Sequence, residues 1–494
     1  MPQDVPPDFP PAANSSHDPF LVQFEERELA NPFQWSRLRR WYISWVTGIL
    51  VLNVTFSSSA PSGIIDQLTE QFHMSQKVAT LTISLFVTGY CVGPILWGPL
   101  SERYGRRPIF LWAFFFYTCT QLGLALATNA TTVLVLRFLA GNSVLSPLSL
   151  SLRAVISDIW EAETRGKGLS IMSASPFVGP ALGPAVAGFI GVNTNWRWVF
   201  WLLTIFSAFC WVVVFLTVPE TYTPVLLVYK AKRIRSDTND TRYYAALERD
   251  PLQPLEVFSK VLSLPFKILF NEPMLIAMTI YLSFGYGCLY LLFEAYPFVF
   301  TEPHHLSPGL TGLTYLPLAV GGIFAIILYA VIFNPRYGKE VKKCAPDPVP
   351  PEFRLEIAFI AAPIFAISFF WFAWTSFPSI SLWVPLMAGV PLGFSMCWIF
   401  LSMYNYIVDV YLSVAASAVA ACTVCRSMAA AAFPLFAGNM YDKLGPQWAS
   451  SILGFFAVVL IPIPFLLIRY GPVLRRKSKF VPRVLPPSNI TDKV

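Results

Sequence analysis

The chain has 494 residues, 55% of them hydrophobic and 16% aromatic, while Asp, Glu, Lys and Arg together make up only 13%, about half the roughly 25% usual in soluble proteins. That much apolar surface excludes a water-soluble fold; the solvent must be lipid. The formal charge of +7 sits in the segments between apolar runs, so it reports orientation in a membrane and not a nucleic-acid partner.

Residues 1–40 open with MPQDVPPDFPPAANSSHDPF. They are polar and proline-rich, lack the apolar core of a signal peptide, and read as a disordered cytoplasmic tail. Apolar runs follow at 41–60, 78–97, 109–127, 132–157, 169–190 and 199–217. After a hydrophilic connector at 218–265, more come at 274–297, 310–333, 355–375, 381–401, 412–433 and 448–468. Each is close to the ~20 residues that cross roughly 30 Å of hydrocarbon as a helix. The expected fold is all-α, with twelve transmembrane helices in two six-helix bundles, 41–217 and 266–469, and a basic tail at 470–494. With the N-terminus inside, roughly 27 of the 35 lysines and arginines fall in inner loops. Only about three (Lys77, Arg197 and Lys443) fall outside, which puts both ends in the cytoplasm.

The turn between the second and third runs, GPLSERYGRRP (98–108), is charged and glycine-rich. Glycine permits a turn this tight, and Glu102 suits the positive N-terminal end of a neighbouring helix. Arg106 is placed to pair with Asp158 at the inner end of the fourth run, near Arg153, as a cytoplasmic latch. Arg137 lies inside the fourth run, in LRFLAGN (136–142), where a cation either faces the bundle interior or snorkels to the outer interface. In the fifth run, SPFVGPALGPAVAG (175–188), small residues allow close helix approach and prolines bend the helix. Asn129-Ala-Thr131 is the one sequon expected outside, on a very short loop that favours no glycosylation.

In the second set, an ionisable side chain inside a span is a functional candidate. Glu294, in YLLFEAYPFVF (290–300), is a candidate proton carrier or cation site, and Arg426, in CTVCRSMAAAAFPLF (422–436), is its candidate basic partner. Asp409 closes the tenth run as a cap or gate. Tyr281, Tyr286, Tyr290 and Trp398 are expected to line a cavity that grips flat or amphipathic organic molecules. Eight cysteines are present; Cys422 and Cys425 form a CxxC without the partner pair a metal site needs, so they read as small packing residues. With 4 histidines, none inside a run, acid–base chemistry is poorly supplied, and no Walker A sequence points to ATP.

The 98–108 turn resembles the loop 2–3 signature of the major facilitator superfamily, G-x-x-x-(D/E)-R-x-G-R-(R/K). The match is carried by Gly98, Glu102, Arg103, Gly105, Arg106 and Arg107, with Glu in place of the commoner Asp. Gly179, Pro180, Gly183, Pro184 and Gly188 resemble the antiporter motif of the drug:proton subgroups, its terminal Gly-Gly degraded. Arg137 with Gly141 resembles their R-x-x-x-G element. NTNWRWVFW (193–201), PETYTPVLL (219–227), YLLFEAYPFVF and PEFRLEIA (351–358) extend the resemblance to the fungal branch of drug:proton antiporter family 1, from about residue 30 to about residue 470. The resemblance implies a secondary transporter that exports small organic compounds (drugs, toxins, secondary metabolites or polyamines) by alternating access. It would be driven by a proton gradient without a cofactor, and would work as a monomer in the cell membrane. An importer or facilitator of an organic acid or sugar is the alternative within that fold, and a polytopic membrane enzyme the alternative outside it.

Overall fold

The computed structural model describes residues 18–25, 28, 30–160, 165–249, 254–344 and 349–480. The first bundle is built from α1 (Arg37–Phe72), α2 (Gln76–Tyr104), α3 (Arg106–Ala125), α4 (Ala130–Ile159), α5 (Arg165–Asn193) and α6 (Arg197–Thr217). Two connector helices follow, α7 (Thr223–Thr238) and α8 (Pro254–Asn271). The second bundle holds α9 (Pro273–Thr301), α10 (Pro308–Cys344), α11 (Pro351–Thr375), α12 (Trp383–Tyr411), α13 (Ala415–Leu460) and α14 (Pro462–Lys477).

Local chemistry sets several of these ends. Ser36 and Asn129 cap α1 and α4 by accepting from the N–H groups of Arg39 and Thr132, and prolines open α9, α10 and α14, where a missing N–H costs nothing. Gly445, at φ +73° and followed by Pro446, bends α13 into two arms, 415–444 and 446–460; the second arm leads into α14. A helix therefore lies over every apolar run read from the sequence. Nine helical stretches among the described residues are long and apolar enough to cross a membrane.

The most apolar of these stretches are the least buried, while α1 and α9, less apolar, are buried along most of their length. Trp45, Trp112, Phe209, Leu216, Phe455 and Val459 stand exposed on the outside. This inverts the soluble pattern and fits a lipid-facing surface around a more polar interior. Within the first bundle α2 packs on α4, α1 on α5 and α3 on α6; in the second, α10 packs on α12 and α9 on α13. The bundles meet most extensively through α2 with α13 and α5 with α10.

The expected disordered tail does not extend to residue 40. Leu21 pairs in parallel with Tyr244 beyond α7, Val22 packs with Ala231 and Ala245, and Lys230 Nζ meets Glu28 at 2.7 Å. The end of the molecule carrying this strap, the α2–α3 turn and the connector is called the connector face below; the other end is the far face.

Candidate functional site

Three residues of α9, Tyr286, Tyr290 and Glu294, follow at four-residue spacing and form one stripe along the seam between the bundles. Near the far face, Glu294 is 5% exposed, and its Oε1 accepts from Thr80 Oγ1 of α2 at 2.9 Å. One turn lower, the Tyr290 hydroxyl lies 2.8 Å from Ser58 Oγ of α1 and 3.4 Å from the Tyr286 hydroxyl. The second bundle thus touches α1 and α2 through hydroxyls and one carboxylate.

Arg137 has no solvent exposure and faces inward. Its Nε donates to the Thr82 carbonyl at 2.7 Å, Nη1 and Nη2 to that of Ser57 at 3.1 Å, and Nη2 also to that of Ser58 at 3.3 Å. Pro61 explains one of these acceptors: with no N–H, it leaves the Ser57 carbonyl without its helical donor. Arg137 therefore clasps α1 and α2 to α4.

Arg426, 9% exposed, lies with its guanidinium 4.1 Å over the Tyr286 ring and 5.8 Å from that of Phe400. Among the described residues it makes no ion pair, so the expected Glu294–Arg426 pair is corrected. Tyr286, beneath the guanidinium, precedes Glu294 by two helical turns, about 12 Å along α9, and Glu294 turns instead to Thr80. Two expected cavity aromatics also lie elsewhere. Tyr281 packs on Phe365 of α11, and Trp398 donates to the Ala325 carbonyl of α10 at 2.8 Å beside Phe394; both belong to the core of the second bundle.

At the connector face, Arg106 Nε stands 3.6 Å from Asp158 Oδ2, and Nη1 donates to Ser101 Oγ at 2.6 Å. Gly105, at φ +97°, admits the Glu220 carboxylate against its backbone. Glu220 accepts from the N–H groups of Arg106 (2.9 Å) and Arg107 (3.1 Å), the helix-end role expected of Glu102. The side chains of Glu102 and Arg153 and the surroundings of Gly98 lie outside the described residues. Arg103 is exposed beside Tyr104, and Arg107 donates to the Phe215 carbonyl at 3.0 Å.

Sequence reasoning missed a second latch: Arg354 Nε donates to Asp409 Oδ2 at 2.8 Å, under the Tyr337 ring. Its signal was the PEFRLEIA segment, whose arginine occupies in the second bundle the place of Arg106 in the first. The glycine-rich stretch of α5 makes close contacts on two sides. A Cβ on Gly183 would meet the Phe56 and Ala60 backbone of α1 at 2.9 Å, and one on Gly188 would meet the Pro308 carbonyl of α10 at 2.5 Å. A Cβ on Gly179 would strike Thr55; Pro180 and Pro184 lie inside the helix. Asn129 spends its side-chain oxygen as the α4 cap, and Cys422 Sγ lies 2.9 Å from Thr279 Oγ1 of α9.

Two helical bundles with a lipid-facing exterior and a buried polar seam define a multi-pass membrane protein. The family profile of the Major Facilitator Superfamily matches residues 47–434, and the chain belongs to that family. It is 40% identical over 476 residues to the Major facilitator superfamily multidrug transporter mdrA of Aspergillus fumigatus, covering 96% of this chain and 78% of that one. It is 40% identical over 473 residues to the MFS-type efflux pump MFS2 of Trichophyton rubrum, covering 95% and 79%. The xylose transporter XylE from E. coli, in a partially occluded inward open conformation, shares the fold with a TM-score of 0.61 at 18% identity, over 88% of this chain and 99% of that one.

Proposed function

We propose that the protein exports small organic compounds across the cell membrane in exchange for protons, with both chain ends on the cytoplasmic side and one chain sufficient. The names of the two fungal relatives, a multidrug transporter and an efflux pump, support the direction and the substrate class. The observation that carries the coupling is the Thr80–Glu294 hydrogen bond: a carboxylate well inside a helix is bound across the seam that alternating access must open. Opening toward the far face breaks this contact and bares Glu294 to the outside, where it takes up a proton. Closure returns it to the seam, and release of the proton toward the inside resets the carrier. No separate cofactor enters the cycle; the proton gradient supplies the work.

Glu294→Gln tests this. The variant, at wild-type level in the membrane, is expected to lose the dependence of export on a proton gradient in sealed vesicles. Full gradient-driven export by Glu294→Gln would remove Glu294 from the coupling.

A further inference from the structure

We propose that Arg426 is the anion receptor of a central binding site and that the compounds carried are planar organic anions, above all aromatic carboxylates. The proposal rests on the export reading for direction alone.

The depth of Arg426 is the first observation. It lies eleven residues after Ala415, where α13 begins, so about 17 Å into the helix and near the middle of ~30 Å of hydrocarbon. A carrier binds its cargo at this depth. The second is its place on the seam. Tyr286 and Phe400 come from the second bundle, and from the first Cys91 Sγ of α2 lies 3.5 Å from the Val424 carbonyl, two residues before Arg426.

The third observation is the charge. A buried guanidinium is costly without a counter-ion. Arg137, also buried inside a helix, donates to three carbonyls; Arg426 donates to no acceptor among the described residues, and its Nε is fully buried without a partner. Among the described residues no carboxylate is within reach: Glu294, well inside α9, lies two turns away, and the others stand in loops, at helix ends or, for Asp442, beside the Gly445 bend. Stacking on Tyr286 occupies the face of the guanidinium and leaves its in-plane N–H groups available, the fork that binds a carboxylate bidentately. Tyr286, Phe400 and Tyr404 flank it, and Phe177 of α5 meets Phe400 edge-on at 6.2 Å. Aromatic walls around one fixed cation select a flat ring that bears a negative charge.

The experiment compares 2-naphthoate, 2-naphthamide and 2-naphthylmethylammonium, matched in ring and differing in charge. Binding to the purified full-length protein is read by thermal shift and by quenching of its own tryptophans, and transport is read in proteoliposomes. The carboxylate is expected to bind at least tenfold more tightly than either counterpart. Arg426→Gln should collapse the carboxylate-to-amide ratio to about one, and Arg426→Lys, which keeps the charge but loses the fork, should leave an intermediate ratio. Equal affinities in the wild type, failure of the carboxylate to bind, or a preference that survives Arg426→Gln overturns the proposal. If Arg426→Gln does not fold, the wild-type comparison and Arg426→Lys decide. Carboxylate uptake that depends on Arg426 but runs inward across oriented vesicles would overturn export and leave the anion site standing.

Discussion

Arg354 reaches from the start of α11 to Asp409 near the end of α12 at 2.8 Å, and Arg106 spans the corresponding positions of the first bundle to Asp158 at 3.6 Å. Each bundle therefore carries an arginine–aspartate latch at the connector face, the second tighter than the first. Both aspartates are partly exposed, so each pair is worth about 1 kcal/mol, roughly fivefold in an equilibrium constant. Arg354→Ala and Arg106→Ala are expected to lower transport turnover several-fold while protein in the membrane stays near wild type. Initial rates normalised to surface-tag signal check this; a loss confined to protein level would leave only a folding or topological role.

Gly188 of α5 and Gly312 of α10 face each other's helices across the seam. A Cβ on Gly188 would meet the Pro308 carbonyl at 2.5 Å, and one on Gly312 would meet Pro184 and Ala185 backbone at 2.5 Å. Backbone cannot step aside as a side chain can, so Gly188→Val and Gly312→Val must push the bundles apart. Overpacking of this kind costs about 1–3 kcal/mol, here charged to one closed arrangement and not to either bundle alone. Export is expected to fall at least fivefold, with cysteines engineered near the far face becoming more reactive to impermeant thiol reagents. Unchanged reactivity would mean that the helices accommodate the added bulk without parting.

The long apolar runs, Glu294 and Arg137 were legible in the sequence because a charge in hydrocarbon is conspicuous. Tyr286 and Tyr290 were legible as part of an aromatic pattern, but the rotation of α9 was not: Tyr281 lies five residues from Tyr286, about 140° around the helix, and faces α11. Trp398 shows the same limit on α12. Glu220 and the Arg354–Asp409 pair stayed hidden because charges at span ends are common, and nothing in one sequence says which of them meet. The strap formed by residues 18–25 and 28 was illegible for another reason: its contacts with Lys230 and Tyr244 join segments about 200 residues apart.

That strap has a definite pH response. The hydrogen bond from the Tyr244 hydroxyl holds Asp18 below the ordinary carboxylate value. Partial burial pushes Glu28 up, but the hydrogen bonds from Lys230 and the Glu25 N–H together with the Lys230 charge outweigh that and leave it lowered. A carboxylate with a depressed folded value stabilises the contact above its unfolded value and loses it as pH falls through the folded one. Strap contacts are therefore expected to persist from pH 7 to pH 5 and to release only below about pH 4. The Val22 N–H, bonded to the Tyr244 carbonyl at 2.9 Å, is the reporter: its hydrogen-exchange protection, normalised to intrinsic rates, should fall only at that acidic end. Release already at pH 6 would contradict the assigned contacts.

Arg137 and Arg426 make opposite predictions although both are arginines buried inside helices. Arg137 is satisfied by the carbonyls of Thr82, Ser57 and Ser58, so its removal leaves the Ser57 carbonyl, already deprived of a helical donor by Pro61, with nothing to accept from. Each such orphaned group costs about 1–3 kcal/mol. Arg137→Gln is therefore expected to lower the thermal unfolding midpoint of the purified protein by several degrees and to reduce transport mainly through lost folded protein. Arg426→Gln relieves an uncompensated buried charge, so its midpoint should hold or rise. Equal destabilisation by the two substitutions would show that Arg426 also has structural partners and would undo the division between a clasp and a receptor.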